Sequence, residues 1–235
     1  MIKRRALWAL LAVITVGGLG AGLAPEPAQA QQAAKSKPKP RPKELFPYWE
    51  NYLRIPAAER SRFGPAYILN AGGKPVTDIQ LFAVDGGRRV PVAIAPDGRM
   101  TPPPPEFFRS KTAVLDAPGA SGRSMNVEMQ LVANMAPARE IAAPQIQATI
   151  DQANAGIRKA AGLLGIAAPR MGRVVFRDAG SGEAVDAQGR RTPLPLVSGA
   201  PAFQPSALPG TQRVVLARTP SRVLIGPAAK PNKRG

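Results

Sequence analysis

No cysteine occurs in this chain of 235 residues. No disulfide can close its loops, so the fold has to be held by side-chain burial alone. The same absence removes thiol chemistry, haem attachment and any lipid-modified cysteine behind a leader. Histidine is also missing, which excludes Ser-His-Asp and Cys-His catalysis and every histidine-based zinc or copper site.

The first thirty residues have the three parts of an export signal. A Lys3-Arg4-Arg5 cluster precedes an apolar run from Ala6 to Leu19, and a proline-interrupted stretch closes in Ala28-Gln29-Ala30. Basic residues hold the amino end on the cytosolic face while the apolar run partitions into the bilayer, and small side chains before the cut fit the peptidase. Cleavage is expected after Ala30, with Ala28 as the other small residue and Gln31 as the new terminus. An uncleaved inner-membrane anchor is the alternative, against which stand Gly17, Gly18, Gly20, Gly22, Pro25 and Pro27. Arg4-Arg5 also half-matches a twin-arginine signal. The expected location is therefore periplasmic or secreted, and about 205 residues remain to build one domain with tails or two small ones.

Lys and Arg number 32 against 15 Asp and Glu, a net charge of +17. Outside the cytosol such a surplus favours anionic cell-envelope polymers or lipid head groups as partners, and it also serves solubility. Nucleic acid is not expected, because the basic residues are not interleaved with an aromatic platform. Part of the charge lies in residues 31–43, where Lys37-Pro38-Lys39-Pro40-Arg41-Pro42-Lys43 alternates cation and proline. Proline at every second position disfavours helix and sheet, so the segment reads as an extended, disordered arm. Its cations Lys35, Lys37, Lys39, Arg41 and Lys43 are the candidate anion contacts. A basic tail, residues 230–235, is likewise expected to be disordered.

The folded domain is expected over residues 44–229. It opens on Phe46, Tyr48, Trp49, Tyr52 and Leu53, a density of large apolar groups that suits a core cover. A short helix is predicted at Pro56–Arg60. Alternating runs then predict strands at 66–69, 78–84 and 90–95, separated by turns at Ala71-Gly72-Gly73-Lys74-Pro75, Asp85-Gly86-Gly87 and Pro96-Asp97-Gly98. The prolines from Pro102 to Pro105 mark a connection. Met125 to Val132 sets Met125, Val127, Met129 and Leu131 against Asn126, Glu128 and Gln130, a half-buried strand. One long amphipathic helix is predicted over 144–164, with Ile146, Ile150, Ala153, Ile157 and Leu164 on its buried stripe and Gly165 as its cap. Strands return at 173–177, 184–186, 213–217 and 222–225.

Gly98-Arg99-Met100-Thr101-Pro102 and Gly189-Arg190-Arg191-Thr192-Pro193 are near-copies. Each follows a hairpin pattern and precedes a proline-rich connection, which points to a duplicated β-sandwich-like module on either side of the helix. The expected fold class is α+β, antiparallel β-units flanking one long helix. From Gly73-Lys74-Pro75-Val76 to Pro96-Asp97-Gly98-Arg99 the order of turns and strands resembles the carboxypeptidase-regulatory and transthyretin-like β modules. That resemblance implies antiparallel architecture and an accessory or adhesive role, and it carries no functional residue across. In style the whole chain is similar to exported proteins of GC-rich bacteria that have no assigned activity.

No metal, cofactor or catalytic set is legible. No calcium-loop array of acids occurs, Ser110-Lys111 are adjacent rather than spaced as a dyad, and Gly72-Gly73-Lys74 lacks the rest of a phosphate loop. The expectation is a non-enzymatic, envelope-associated binding or structural module. The alternatives are a carboxylate-dependent hydrolase of envelope polysaccharide, which needs two acids in one pocket, and a small-molecule or peptide carrier with a groove beneath the long helix.

Overall fold

The computed structural model describes residues 38–120, 123–161 and 169–229. The expected signal with Ala28, Ala30 and Gln31, the arm residues Lys35 and Lys37, the helix end at Leu164 and Gly165, and the tail 230–235 lie outside these. Helix α1 spans Pro42–Leu45 and α2 spans Trp49–Arg54, followed by a 3-10 turn at Ala57–Arg60. Pro42 occupies the first turn of α1, the one place where its missing N–H and fixed φ cost nothing. Upstream, the Pro40 carbonyl accepts a hydrogen bond from the Leu115 N–H at 2.7 Å, and Lys39 Nζ lies 2.6 Å from Asp116. The expectation of a disordered arm up to Lys43 is thus corrected from Pro38 onward. Its last residues are docked on the body because proline carbonyls still accept hydrogen bonds and its lysines find carboxylates.

Strands β1 (Phe63–Ala71), β2 (Lys74–Pro75), β3 (Phe82–Asp85), β4 (Arg88–Pro91), β5 (Arg99–Met100), β6 (Val114–Asp116) and β7 (Asn126–Ala133) make the first half, with α3 at Glu106–Arg109. The second half holds β8 (Glu140–Ala142), α4 (Ala143–Ala161), β9 (Met171–Arg177), β10 (Gly182–Asp186), β11 (Arg191–Pro193), β12 (Leu196–Val197), β13 (Ala200–Phe203), β14 (Thr211–Leu216) and β15 (Arg222–Pro227). The fold is α+β with one long helix. The largest sheet runs β12-β13-β9-β15-β7-β1-β2, with β5 also on β1; smaller sheets are β11-β10-β14-β8 and β4-β3-β6.

The large sheet is built from two halves. β1 and β7 pair along their lengths, from Phe63 opposite Ala133 to Asn70 opposite Asn126. β9 and β15 pair from Arg222 opposite Arg177 to Pro227 opposite Met171. Between the halves, β7 and β15 share the single bridge Leu224 to Val132. Each half carries its own apolar cluster. One gathers Phe46, Tyr67, Leu69, Leu81, Phe107, Phe108 and Leu115. The other sets α4, through Ile146, Ile150 and Ala153, against Val174, Phe176, Phe203, Val214 and Leu216. Phe63, on β1, belongs to this second cluster and ties the halves together. It lies over Gly156 of α4, where an added Cβ would overlap its ring.

The two near-copy segments form the same local turn. Ala95 N–H bonds to Arg99 O and Gly98 N–H to Ala95 O, each at 2.8 Å; Asp186 with Arg190 and Gly189 with Asp186 repeat the pattern at 3.1 Å. Gly98 and Gly189 sit at φ +77° and +79°, the left-handed position that closes a three-residue hairpin. Beyond the turn they part: β5 returns to β1, whereas β11 pairs with β10.

Several short elements escaped the sequence reading, among them α3, β6, β8 and the β12-β13 hairpin. Tyr48, expected in the core cover, is instead 68% exposed at φ +62°. Two aspartates anchor loops of the first half. The Thr112 and Ser110 hydroxyls hold the Asp85 carboxyl below the usual range, and Lys39, with Arg89, does the same for Asp116. A carboxyl depressed in the fold binds its proton more readily in the unfolded chain. Stability is therefore expected to be full above the ordinary aspartate range and to fall as pH drops below about 4. Urea midpoints between pH 7 and 3 measure the slope, which Asp116→Asn should flatten.

Candidate functional site

Even-numbered side chains of β7 point away from both apolar clusters, a direct consequence of the two-residue period of a strand. Asn126, Glu128 and Gln130 therefore share a face with Asn70, Ile68 and Ala66 of β1, their register partners. On the other half-sheet Arg177 and Arg222 stand opposite each other. Where the halves meet, these side chains other than Ala66 line a polar cleft of about 370 Å³, flanked by Asp97 after β4 and by Asp178 and Ser221 at the ends of β9 and β15.

Arg222 is the centre of this arrangement. Its Nη1 donates to Gln130 Oε1 and its Nη2 to Asp97 Oδ2, both at 2.7 Å, so one guanidinium links the second half-sheet to two elements of the first. Its side chain is only 19% exposed, which raises the worth of these charge-assisted bonds above that of a surface pair. Asp97 is fixed from behind by the Arg99 N–H at 3.1 Å. Gln130 Nε2 donates onward to Glu128 Oε1 at 2.9 Å, and the buried Asn70 amide to Glu128 Oε2 at 3.4 Å. Across the cleft the Ser221 hydroxyl donates to Asp178 Oδ2. Asp178 holds a left-handed backbone, φ +62°.

Three acids thus line one cleft, each held by a different kind of donor: a guanidinium for Asp97, amides for Glu128, a hydroxyl for Asp178. Among the described residues no group of acidic side chains is placed to hold a metal ion. A second cavity, of about 280 Å³, lies beside α4 between Ile150, Asn154, Met171 and Pro205. Asn154 exchanges two 2.9 Å hydrogen bonds with the Met171 backbone there, which latches the helix to β9.

Of the arm cations, Lys39 pairs with Asp116 and Lys43 Nζ lies 2.8 Å from Glu50. Arg41 uses its backbone N–H to cap α1 through Glu44. The three described arm residues lie outside the cleft lining, and two are already engaged, so their pairing leaves less charge free for a polyanion than the sequence suggested. The remaining motifs are structural. Ser110 accepts the Thr112 and Ala113 N–H groups and donates to Asp85 at 2.9 Å. Gly72 and Gly73 turn β1 into β2 at φ +57° and +78°. Glu183 and Asp186 pair with Arg191 and Arg190.

Sequence reasoning missed the cleft because its members come from five separate segments. The one available signal was the polar face of β7, formed by Asn126, Glu128 and Gln130. Among the described residues no helix is long and apolar enough to cross a membrane. No family model, curated protein or solved structure matches the chain.

Proposed function

We propose that this chain is an exported, non-enzymatic module of the bacterial cell envelope, periplasmic or secreted, that binds a polar envelope component in the cleft between its half-sheets. The observation that carries this reading is the cleft itself: charged groups of both signs and amides, oriented by neighbouring side chains, at the seam between the two halves of one sheet. Export rests on the cationic, apolar and small-residue order of residues 1–30, and affinity for anionic polymers on the net charge, +17 in the full chain and +15 once Lys3, Arg4, Arg5 and Glu26 are removed with the signal. The identical turns at Gly98 and Gly189 support a duplicated β-unit as its origin, and the transthyretin-like order of turns supports an accessory role.

Co-sedimentation with purified cell-wall sacculi tests the reading. The mature chain is expected to bind at low salt and to be released as salt rises. A deletion confined to residues 31–37 removes Lys35 and Lys37 while sparing the docked Pro40 and Lys39, and it should weaken binding several-fold without moving the melting temperature. Failure of the intact chain to sediment at any ionic strength would overturn the proposal.

The convergence of Asp97, Glu128 and Asp178 favours one second reading, a carboxylate-dependent hydrolase of envelope polysaccharide. Reducing ends released from sacculi, and their loss in Glu128→Gln, would establish it in place of simple binding.

A further inference from the structure

We infer that residues 38–41 form a strap that closes the free edge of β6, and that the edge beneath is a self-association site, taken by β6 of a second copy of this chain when the strap is displaced.

The small sheet β4-β3-β6 has two outer edges, and the chain protects them differently. β4 presents exposed Arg88, Arg89 and Pro91, the charges and proline that keep a sheet edge from pairing with another chain. β6 carries no such guard of its own. Residues 112–117 read Thr-Ala-Val-Leu-Asp-Ala, with a single charge and no proline, and an open edge of that composition is a template for another strand. Ala113 and Leu115 are buried in the first apolar cluster, so Val114 and Asp116 share the opposite face.

The strap lies against this edge. The Pro40 carbonyl accepts the Leu115 N–H at 2.7 Å, Lys39 Nζ sits 2.6 Å from Asp116, and the buried Pro42 anchors the strap where α1 begins. It satisfies the edge without extending it. Pro38 and Pro40 have no N–H, and the Arg41 N–H is held by Glu44 Oε2 at 3.3 Å, which leaves Lys39 as the one strap residue with a donor to offer a further strand. The attachment is also displaceable. Among the described residues it consists of one backbone hydrogen bond to β6 and an ion pair whose lysine is 57% exposed, and Asp116 keeps Arg89 at 3.2 Å when Lys39 leaves. Tethering decides the competition: a strap in cis acts at an effective concentration on the order of millimolar, so it excludes a second copy from the intact chain. Without it, β6 pairs with β6 of another molecule about a two-fold axis, which gives a closed dimer.

Sedimentation equilibrium of the mature chain, and of chains lacking residues 31–37 or 31–41, tests the inference. The first two keep the strap and are expected to stay monomeric. The third is expected to dimerise at least about tenfold more tightly than either. Adding Val114→Glu to it sets like charges across an antiparallel β6 pair and should reverse that gain. Thermal melts confirm that each chain folds. A folded chain without residues 31–41 that stays monomeric would overturn the inference, as would a dimer unmoved by Val114→Glu or a mature chain that dimerises as tightly as the truncated one. Should the truncated chain not fold, Lys39→Glu in the full mature chain decides. It sets a carboxylate against Asp116, and should speed hydrogen exchange at the Leu115 amide and favour the dimer; Leu115 exchange equal to that of the native chain would sink the strap.

Discussion

Truncating Phe63 to alanine is expected to destabilise the protein by about 3–5 kcal/mol, the range for emptying an aromatic site in a close-packed interior. Phe63 is 2% exposed and is the β1 residue that enters the cluster beneath α4, with Ile55 beside it. Its ring fills the notch at Gly156. In a chain of this size such a loss lowers the melting temperature by on the order of 10 °C. The neighbouring glycine supplies a sharper control. In the native background Gly156→Ala should destabilise by about 1–3 kcal/mol, because the new methyl overlaps the Phe63 ring. In the Phe63→Ala background the same change should stabilise by up to about 1 kcal/mol, since alanine is the better helix former. Reversal of sign in chemical denaturation is the decisive result. If Gly156→Ala is neutral or stabilising in both backgrounds, the close approach of α4 to β1 is not as described.

The second large effect is expected at Arg222. Replacing it with methionine keeps the stem and removes both charge-assisted bonds, to Gln130 and Asp97, at a cost of about 1–3 kcal/mol. Only one backbone bridge joins the half-sheets beside it, so hydrogen exchange should accelerate in β7 and β15 before it does in β1 or β9. A double-mutant cycle with Asp97→Asn should return a coupling of about 1–2 kcal/mol. The exposed pair Lys159–Glu59, at 55% and 49% side-chain exposure, should give less than about 1 kcal/mol. Equal couplings at the two sites would show that Arg222 does not clasp the seam.

The elements legible in the sequence were those whose signal is local. The long helix was readable because Ile146, Ile150 and Ala153 repeat at helical spacing, and all three are buried. β7 was readable from strict alternation, and the turns at Gly72-Gly73 and Gly98 from residues that accept a left-handed backbone. Short elements such as β6 and β8 were not, since three residues carry no period. The reading of β7 also needed correction in one detail. Met129, assigned to the buried face, is 43% exposed because it lies between the two apolar clusters and neither reaches it. The arm was misjudged for the converse reason: proline spacing reports backbone preference, while the Pro40 carbonyl and Lys39 were ordered by Leu115 and Asp116, far along the chain.

By itself, then, the sequence determined the period of each long element, the chirality of its turns, the surplus of positive charge and the exclusion of thiol and imidazole chemistry. All of these follow from residues within a few positions of one another or from composition. Only the tertiary structure decided that Asp97, Glu128, Asp178 and Arg222 share a cleft and which of them goes without a counter-charge. Those are properties of pairing between distant strands, set by how two half-sheets pack, and no local pattern of side chains encodes them.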